Sequence, residues 1–263
     1  MTMNQPFQPH VTLVGAGPGD PELLTIKAVK AIASATLLLV DDLVSEAITA
    51  HASATARIIH VGKRGGCKST PQAFIEKLMV QQAWAGETVV RLKGGDPFIF
   101  GRGGEEVEHL QAQGIGVTVI NGITSGLAGV TSLGTPLTHR EHAHGVVFIT
   151  GHAKQDAADG IDWVALGRTA VQAKLTLVIY MGVSGAAHLQ EALLHSMRAS
   201  TPVAVIHQVS LPGQRHVVCE LQLLHQTIVC EAMASPSVIV VGDVFKGLLA
   251  MQQNQSLAVL AAP

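Results

Sequence analysis

The chain has 263 residues, enough for one large α/β domain or two of ordinary size. It is 48% hydrophobic, 14% charged and only 3% aromatic, so its core must be aliphatic. A formal net charge of −2 supplies no basic field for nucleic acid or an anionic membrane, and any bound anion must be held by local donors.

Cys67, Cys219 and Cys230 form no C-x-x-C pair and no zinc spacing, which suits a reducing compartment better than a disulfide framework. The N-terminal residues lack a basic region followed by an apolar run, and the longest apolar runs are strand-sized. The expectation is a cytoplasmic protein that neither carries a secretory signal nor spans a membrane.

In chain order, apolar runs predict strands over 11–14, 36–40, 57–61, 88–92 and 117–120, with helices over 22–33, 71–85 and 104–113 between them. This alternation predicts a mostly parallel sheet covered on both faces. A polar, histidine-rich stretch at 135–145, TPLTHREHAHG, then reads as a linker. Beyond it, strands are expected over 146–150, 175–180, 203–207, 216–221 and 238–241, and helices over 184–197 and 221–233. The fold class is therefore α/β, with one domain over 11–134 and a second over 146–250. Residues 1–10 and 251–263 read as tails.

The first strand runs into VTLVGAGPGDP (11–21). A dinucleotide fingerprint wants G-x-G-x-x-G, and Gly15 and Gly17 fill its first two places, but Asp20 stands at the third. Pro18 also removes a backbone donor where a phosphate would need one. Asp20, Pro21 and Glu22 instead suit a helix start as cap, first residue and dipole-favoured acid. The loop suits a neutral or cationic ligand group better than a diphosphate.

VRLKGGDPFIFGRGGEE (90–106) again places glycines and Asp-Pro behind a strand, and NGITSGLAG (121–129) sets Thr124 and Ser125 at a strand-to-helix turn, where both could be plain caps. Neither loop is a P-loop. His139, His142 and His144 match no standard metal spacing, and no metal is expected.

Taken together, VGAGPGDPELLT, VDDLVS, VGKR, VRLKGGDPFIFGRGGEE, GITSG, PLTHR and YMG, in this order, closely resemble the tetrapyrrole methylases over residues 11–242. The resemblance is nearest to members that methylate uroporphyrinogen III. It implies two α/β domains with S-adenosylmethionine (S-adenosylhomocysteine as product) in an interdomain cleft, and a homodimer. The implied reaction is two methylations through precorrin-1 to precorrin-2, toward siroheme and cobalamin. The alternative is methylation of a precorrin or cobalt-precorrin at another ring position.

Carried over by position, the cofactor contacts fall on Pro18, Gly94, Gly95, Asp96, Ile99, Thr124, Ser125 and Met181. A further contact falls near Val209, where IHQVS departs from the family's usual turn. The implied proton acceptor is Asp41 and the implied proton donor Lys63, although a lysine more readily anchors a carboxylate. Arg64, Arg91, Arg102 and Arg140 are candidate anchors for the substrate's carboxylates, because a guanidinium matches a carboxylate bidentately. Bifunctional relatives carry an oxidase and ferrochelatase region ahead of this domain. Here the first strand begins almost at once, so methyl transfer alone is expected.

Overall fold

The computed structural model describes residues 7–62, 71–151 and 160–251. The chain divides into two compact units, 1–124 and 125–263. The polar stretch 135–145 lies inside the second unit.

In the first unit, β1 (His10–Gly15), β2 (Leu37–Val40), β3 (Arg57–His60), β4 (Val89–Lys93) and β5 (Gly116–Ile120) form a sheet of order β3-β2-β4-β1-β5 among the described residues. Every pairing in it is parallel. A parallel sheet covered on both faces needs strands apolar on both faces. LLLV of β2 meets this need: Leu37 and Leu39 join the core on one face, Leu38 and Val40 the core on the other. Each such fully buried leucine contributes about 1.5–3 kcal/mol relative to exposure.

The connecting helices are α1 (Ile26–Ser34), α2 (Glu46–Thr49), α3 (Gln72–Trp84) and α4 (Gly103–Ala112). The helix expected over 22–33 is broken. Asp20 accepts from the Glu22 N–H at 2.9 Å and caps a single 3₁₀ turn, Pro21–Leu23. The α-helix then starts afresh at Ile26, with Thr25 as its own cap, Oγ1 accepting from the Ala28 N–H at 3.1 Å.

The second unit begins with α5 (Ser125–Ser132), which packs on its sheet, and continues through β6 (Gly145–Thr150), α6 (Trp163–Ala173), β7 (Leu175–Tyr180), α7 (Ala186–Leu194), β8 (Pro202–His207), β9 (Arg215–Glu220), α8 (Leu224–Cys230) and β10 (Ser237–Val241). The order is β6-β7-β10-β8-β9. Among the described residues only β6 and β7 pair in parallel; the other three pairings are antiparallel. Seven residues separate β8 from β9, too few for a parallel crossover, so that pair returns as a hairpin. The helix expected over 221–233 splits into a 3₁₀ turn and α8, and α6, which the strand spacing alone did not reveal, starts on an Asp162 cap.

The ends of β1, β4 and β5 meet at backbone range. A Cβ on Gly15 would lie 2.4 Å from the Gly122 nitrogen, and one on Gly122 only 2.1 Å from the Gly95 carbonyl oxygen. Gly122→Ala is therefore expected to destabilise the protein by about 1–3 kcal/mol through forced backbone displacement, readable as a lowered denaturation midpoint; an unchanged midpoint would contradict this packing.

Candidate active site

All five strands of the first sheet point their carboxyl ends to one edge, where open α/β sheets place ligands. Ala16 follows β1 and donates to the Lys93 carbonyl at 2.8 Å, and Gly17 and Gly95 exchange backbone hydrogen bonds at 2.7 and 3.1 Å. The turns after β1 and β4 thus form one structure. Gly17 and Gly95 carry φ of +69° and +67°, a region that favours glycine. At Gly95 a Cβ would meet nothing nearer than 3.8 Å, so packing is not what requires a glycine there.

Asp96 ties this edge together. Its carboxylate is 7% exposed and accepts from the Phe98 N–H at 2.9 Å, the Gly122 N–H at 3.1 Å and the Asn121 side-chain amide at 3.2 Å. It is a loop staple that joins the β4 and β5 turns. Pro18 lies on the turn after β1, Gly94 and Ile99 on the turn after β4, and Thr124 on the turn after β5, all partly buried.

Beneath Asp96 lies a buried charge cluster. Period-two alternation places Val89, Arg91 and Lys93 on the face of β4 covered by α3 and α4, and register sets Leu39 of β2 beside Arg91. Asp41, two residues after Leu39, follows on that same face. Glu106 of α4 is fully buried, and its Oε1 accepts from Arg91 Nε at 3.3 Å, Lys93 Nζ at 3.1 Å and Gln72 Nε2 at 3.1 Å. Lys93 Nζ also lies 3.1 Å from Oε2, an ion contact without hydrogen-bond geometry. Burial, and next the charge of Arg91, push the Lys93 ammonium below the usual lysine range, while Glu106 and Asp41 pull it back.

Arg91 donates from Nη1 inward, to the carbonyls of Leu39 at 3.3 Å and Leu92 at 3.0 Å, and its side chain is 3% exposed. It is therefore a buried residue rather than a surface one. A strand apolar on both faces can carry a cation only where an anion is buried with it, and Glu106 is that anion. Alternating cations within a buried apolar strand were the sequence signal for Lys93 and Glu106.

Asp41 is at the mouth of this cluster, its side chain 36% exposed, with Oδ2 3.8 Å from Arg91 Nη2 and Oδ1 accepting from the Asp42 N–H at 3.1 Å. It does not cap α2, whose N-cap is Ser45. Lys63 and Arg64 lie outside the described residues. Arg102 and Arg140 are exposed; Arg102 pairs with Glu105 at 2.5 Å.

In the second unit, β10 runs antiparallel to both β7 and β8, so the carboxyl ends of β6, β7 and β8 share an edge. Gly151 and Gly182 touch there: a Cβ on Gly151 would lie 2.5 Å from the Gly182 Cα. Met181, 48% exposed, has φ of +55°. Val209 is buried, flanked by Gln208 and Ser210 at φ of +49° and +60°. Left-handed non-glycine residues are strained and persist where the surroundings over-determine them. Ser125 opens α5, and the next residue, Gly126, donates its N–H to the Tyr180 hydroxyl at 2.9 Å.

His139, Glu141 and His142 bring ligand-type atoms within 4.8 Å of one another. The two imidazoles are stacked, 4.6 Å apart and 14° from parallel, and His139 Nδ1 accepts from the Glu141 N–H. Lone pairs in near-parallel planes do not converge on one ion, and all three residues are exposed. The cluster is no formed metal site.

Each of the two α/β units gathers glycines at the carboxyl edge of its sheet, and the first adds a carboxylate next to buried cations. The model of the tetrapyrrole (corrin/porphyrin) methylases matches residues 10–224, and the chain belongs to that family. It is 48% identical over 240 residues, 91% of this chain and 95% of the relative, to a uroporphyrinogen-III C-methyltransferase of Pseudomonas aeruginosa. It is 46% identical to a siroheme synthase of Aeromonas hydrophila but spans only 49% of that protein. Among solved structures, a Thermus thermophilus uroporphyrin-III C-methyltransferase complexed with S-adenosylhomocysteine is similar, with a TM-score of 0.75, 37% identity and coverage of 89% and 92% of the two chains.

Asp96→Asn exchanges an acceptor for a donor facing the Gly122 and Asn121 donors. It is expected to cost about 1.5–3 kcal/mol, measured by chemical denaturation; a loss below 0.5 kcal/mol, roughly the range of an ordinary surface substitution, would mean that Asp96 does not staple the loops.

Proposed function

We propose that the protein transfers methyl groups from S-adenosylmethionine to carbon atoms of uroporphyrinogen III, twice, through precorrin-1 to precorrin-2 and so toward siroheme and cobalamin. The observation that carries this reading is the 48% identity over nearly the whole length of a relative bearing that activity in its name. Methylation of a precorrin or cobalt-precorrin elsewhere on the ring is not favoured.

The residues present fit the cofactor. Gly95 leaves bare backbone at a strand edge, where a Cβ would only come into ordinary contact with Thr124 at 3.8 Å. Asp20, Asp41, Asp42 and Asp96 follow β1, β2 and β4, so carboxylates stand on three of the turns at this edge. Pro18, Gly94, Gly95, Asp96, Ile99 and Thr124 would hold it from the first unit, with Asp96 acting through the loop shape it imposes. Ser125, Met181 and Val209 would do so from the second, and the strained backbone at positions 181, 208 and 210 supports that assignment. When bound, the cofactor supplies an electrophilic methyl on a sulfonium centre.

The protein's own part is chiefly positioning. Attack by a pyrrole carbon leaves a positively charged ring, and Asp41 can stabilise that charge or accept the ring N–H proton. Lys63, Arg64, Arg102 and Arg140 are assigned to the substrate's carboxylates, Lys63 as an anchor before a proton donor. The homodimer rests on the family resemblance, and a cytoplasmic location on the sparse cysteines. Among the described residues no helix is long and apolar enough to cross a membrane.

Anaerobic incubation with uroporphyrinogen III and methyl-labelled cofactor should give a doubly labelled product; the absence of a labelled dimethylated product would reject the reading. Gly95→Val should lose S-adenosylhomocysteine binding by calorimetry at a stability cost of about 1–3 kcal/mol, and normal affinity would show the second loop misassigned. Asp41→Asn should lower kcat about 10²–10⁴-fold with cofactor affinity unchanged. Equal losses in both would make Asp41 structural.

A further inference from the structure

We propose that Glu106, fully buried and remote from solvent, is a positioning residue that holds Arg91 and Lys93 back from Asp41 and so keeps one Asp41 carboxylate oxygen available to the substrate. The inference rests on the reading of Asp41 as the group that faces the methylated ring.

The geometry carries it. Arg91 and Lys93 are two buried cations, and Glu106 is the buried anion placed between them. The cluster therefore has a surplus positive charge, and Asp41 is the other carboxylate whose charge acts on Lys93. A carboxylate beside a buried guanidinium ordinarily closes on it at about 2.7–2.9 Å. Here Oδ2 stops 3.8 Å from Nη2, beyond hydrogen-bond range. The reason lies on the far side of Arg91. Its Nε is taken by Glu106 and its Nη1 by two carbonyls, so the guanidinium is held from behind in a fixed orientation. Lys93 is held by both Glu106 oxygens in the same way.

Neutralising Glu106 would leave two buried cations and one reachable carboxylate. Asp41 would then be drawn into a closed pair with Arg91, and its Oδ2, the oxygen not used by the Asp42 N–H, would be occupied. Among the described residues no hydrogen bond or ion pair joins Gly95 or Asp96 to Glu106, so cofactor binding should survive while turnover falls.

The test is a double-mutant cycle on the full chain, with kcat for uroporphyrinogen III and the Kd for S-adenosylhomocysteine as readouts. Glu106→Gln should lower kcat about 10- to 100-fold with the Kd unchanged, and should have almost no further effect in the Asp41→Asn background. An equal fold loss in both backgrounds, or wild-type kcat for Glu106→Gln, would overturn the positioning role and leave Asp41 untouched. Wild-type kcat for Asp41→Asn would overturn the reading of Asp41 itself, and the positioning role with it. Should Glu106→Gln fail to fold, Lys93→Met combined with Glu106→Gln removes one buried charge of each sign and keeps the cluster's net charge. That pair relieves the unpaired buried charge but still leaves Arg91 without the anion behind it, so kcat should fall about 10- to 100-fold with the Kd unchanged; wild-type kcat would count against the proposal.

Discussion

The first unit depends on three backbone segments coming closer than side chains permit. Gly15, Gly95 and Gly122 meet at the carboxyl ends of β1, β4 and β5, and Asp96 fills the remaining polar demand with three accepted hydrogen bonds. Without that contact the turns after β1 and β4 could not exchange the Gly17–Gly95 hydrogen bonds, and the edge would open into separate loops. The same constraint explains why so little of the edge is side chain. What that edge presents is shaped backbone over a parallel sheet.

A second constraint lies just below. Arg91 and Lys93 sit on a strand otherwise apolar on both faces, and they are tolerated because Glu106 is buried with them. Two demands thus converge on one face of β4: aliphatic residues for stability near its start, and a charge cluster near its end, next to Asp41. This division along a single strand separates the part of the sheet that holds the fold from the part that carries the buried charges.

The second unit reaches a comparable edge by another topology. Its sheet is mostly antiparallel, yet β6, β7 and β8 still end together, with Gly151 against Gly182 and strained residues at 181, 208 and 210. Strain concentrated at strand ends, in a unit whose core is otherwise regular aliphatic packing, fits a surface shaped for a ligand.

Much of this was legible in the residues alone. Strand positions follow from period and composition because a strand buried on both faces can be little other than Val, Leu and Ile, and the glycine-rich loops stood out because few residues other than glycine reach their φ values or their closeness. The rejection of a dinucleotide site at Asp20 needed only its place in the loop, and the capping role expected of it is what the 3₁₀ turn shows. Strand direction in the second unit was not legible, since local pattern does not encode which neighbour a strand pairs with. Nor was the fate of the charges: Arg91 and Arg102 look alike in sequence, yet one is buried against Glu106 and the other pairs with Glu105 at the surface. Sequence determined which residues could approach a ligand; burial and register, which depend on contacts far apart in the chain, decided which charges face it.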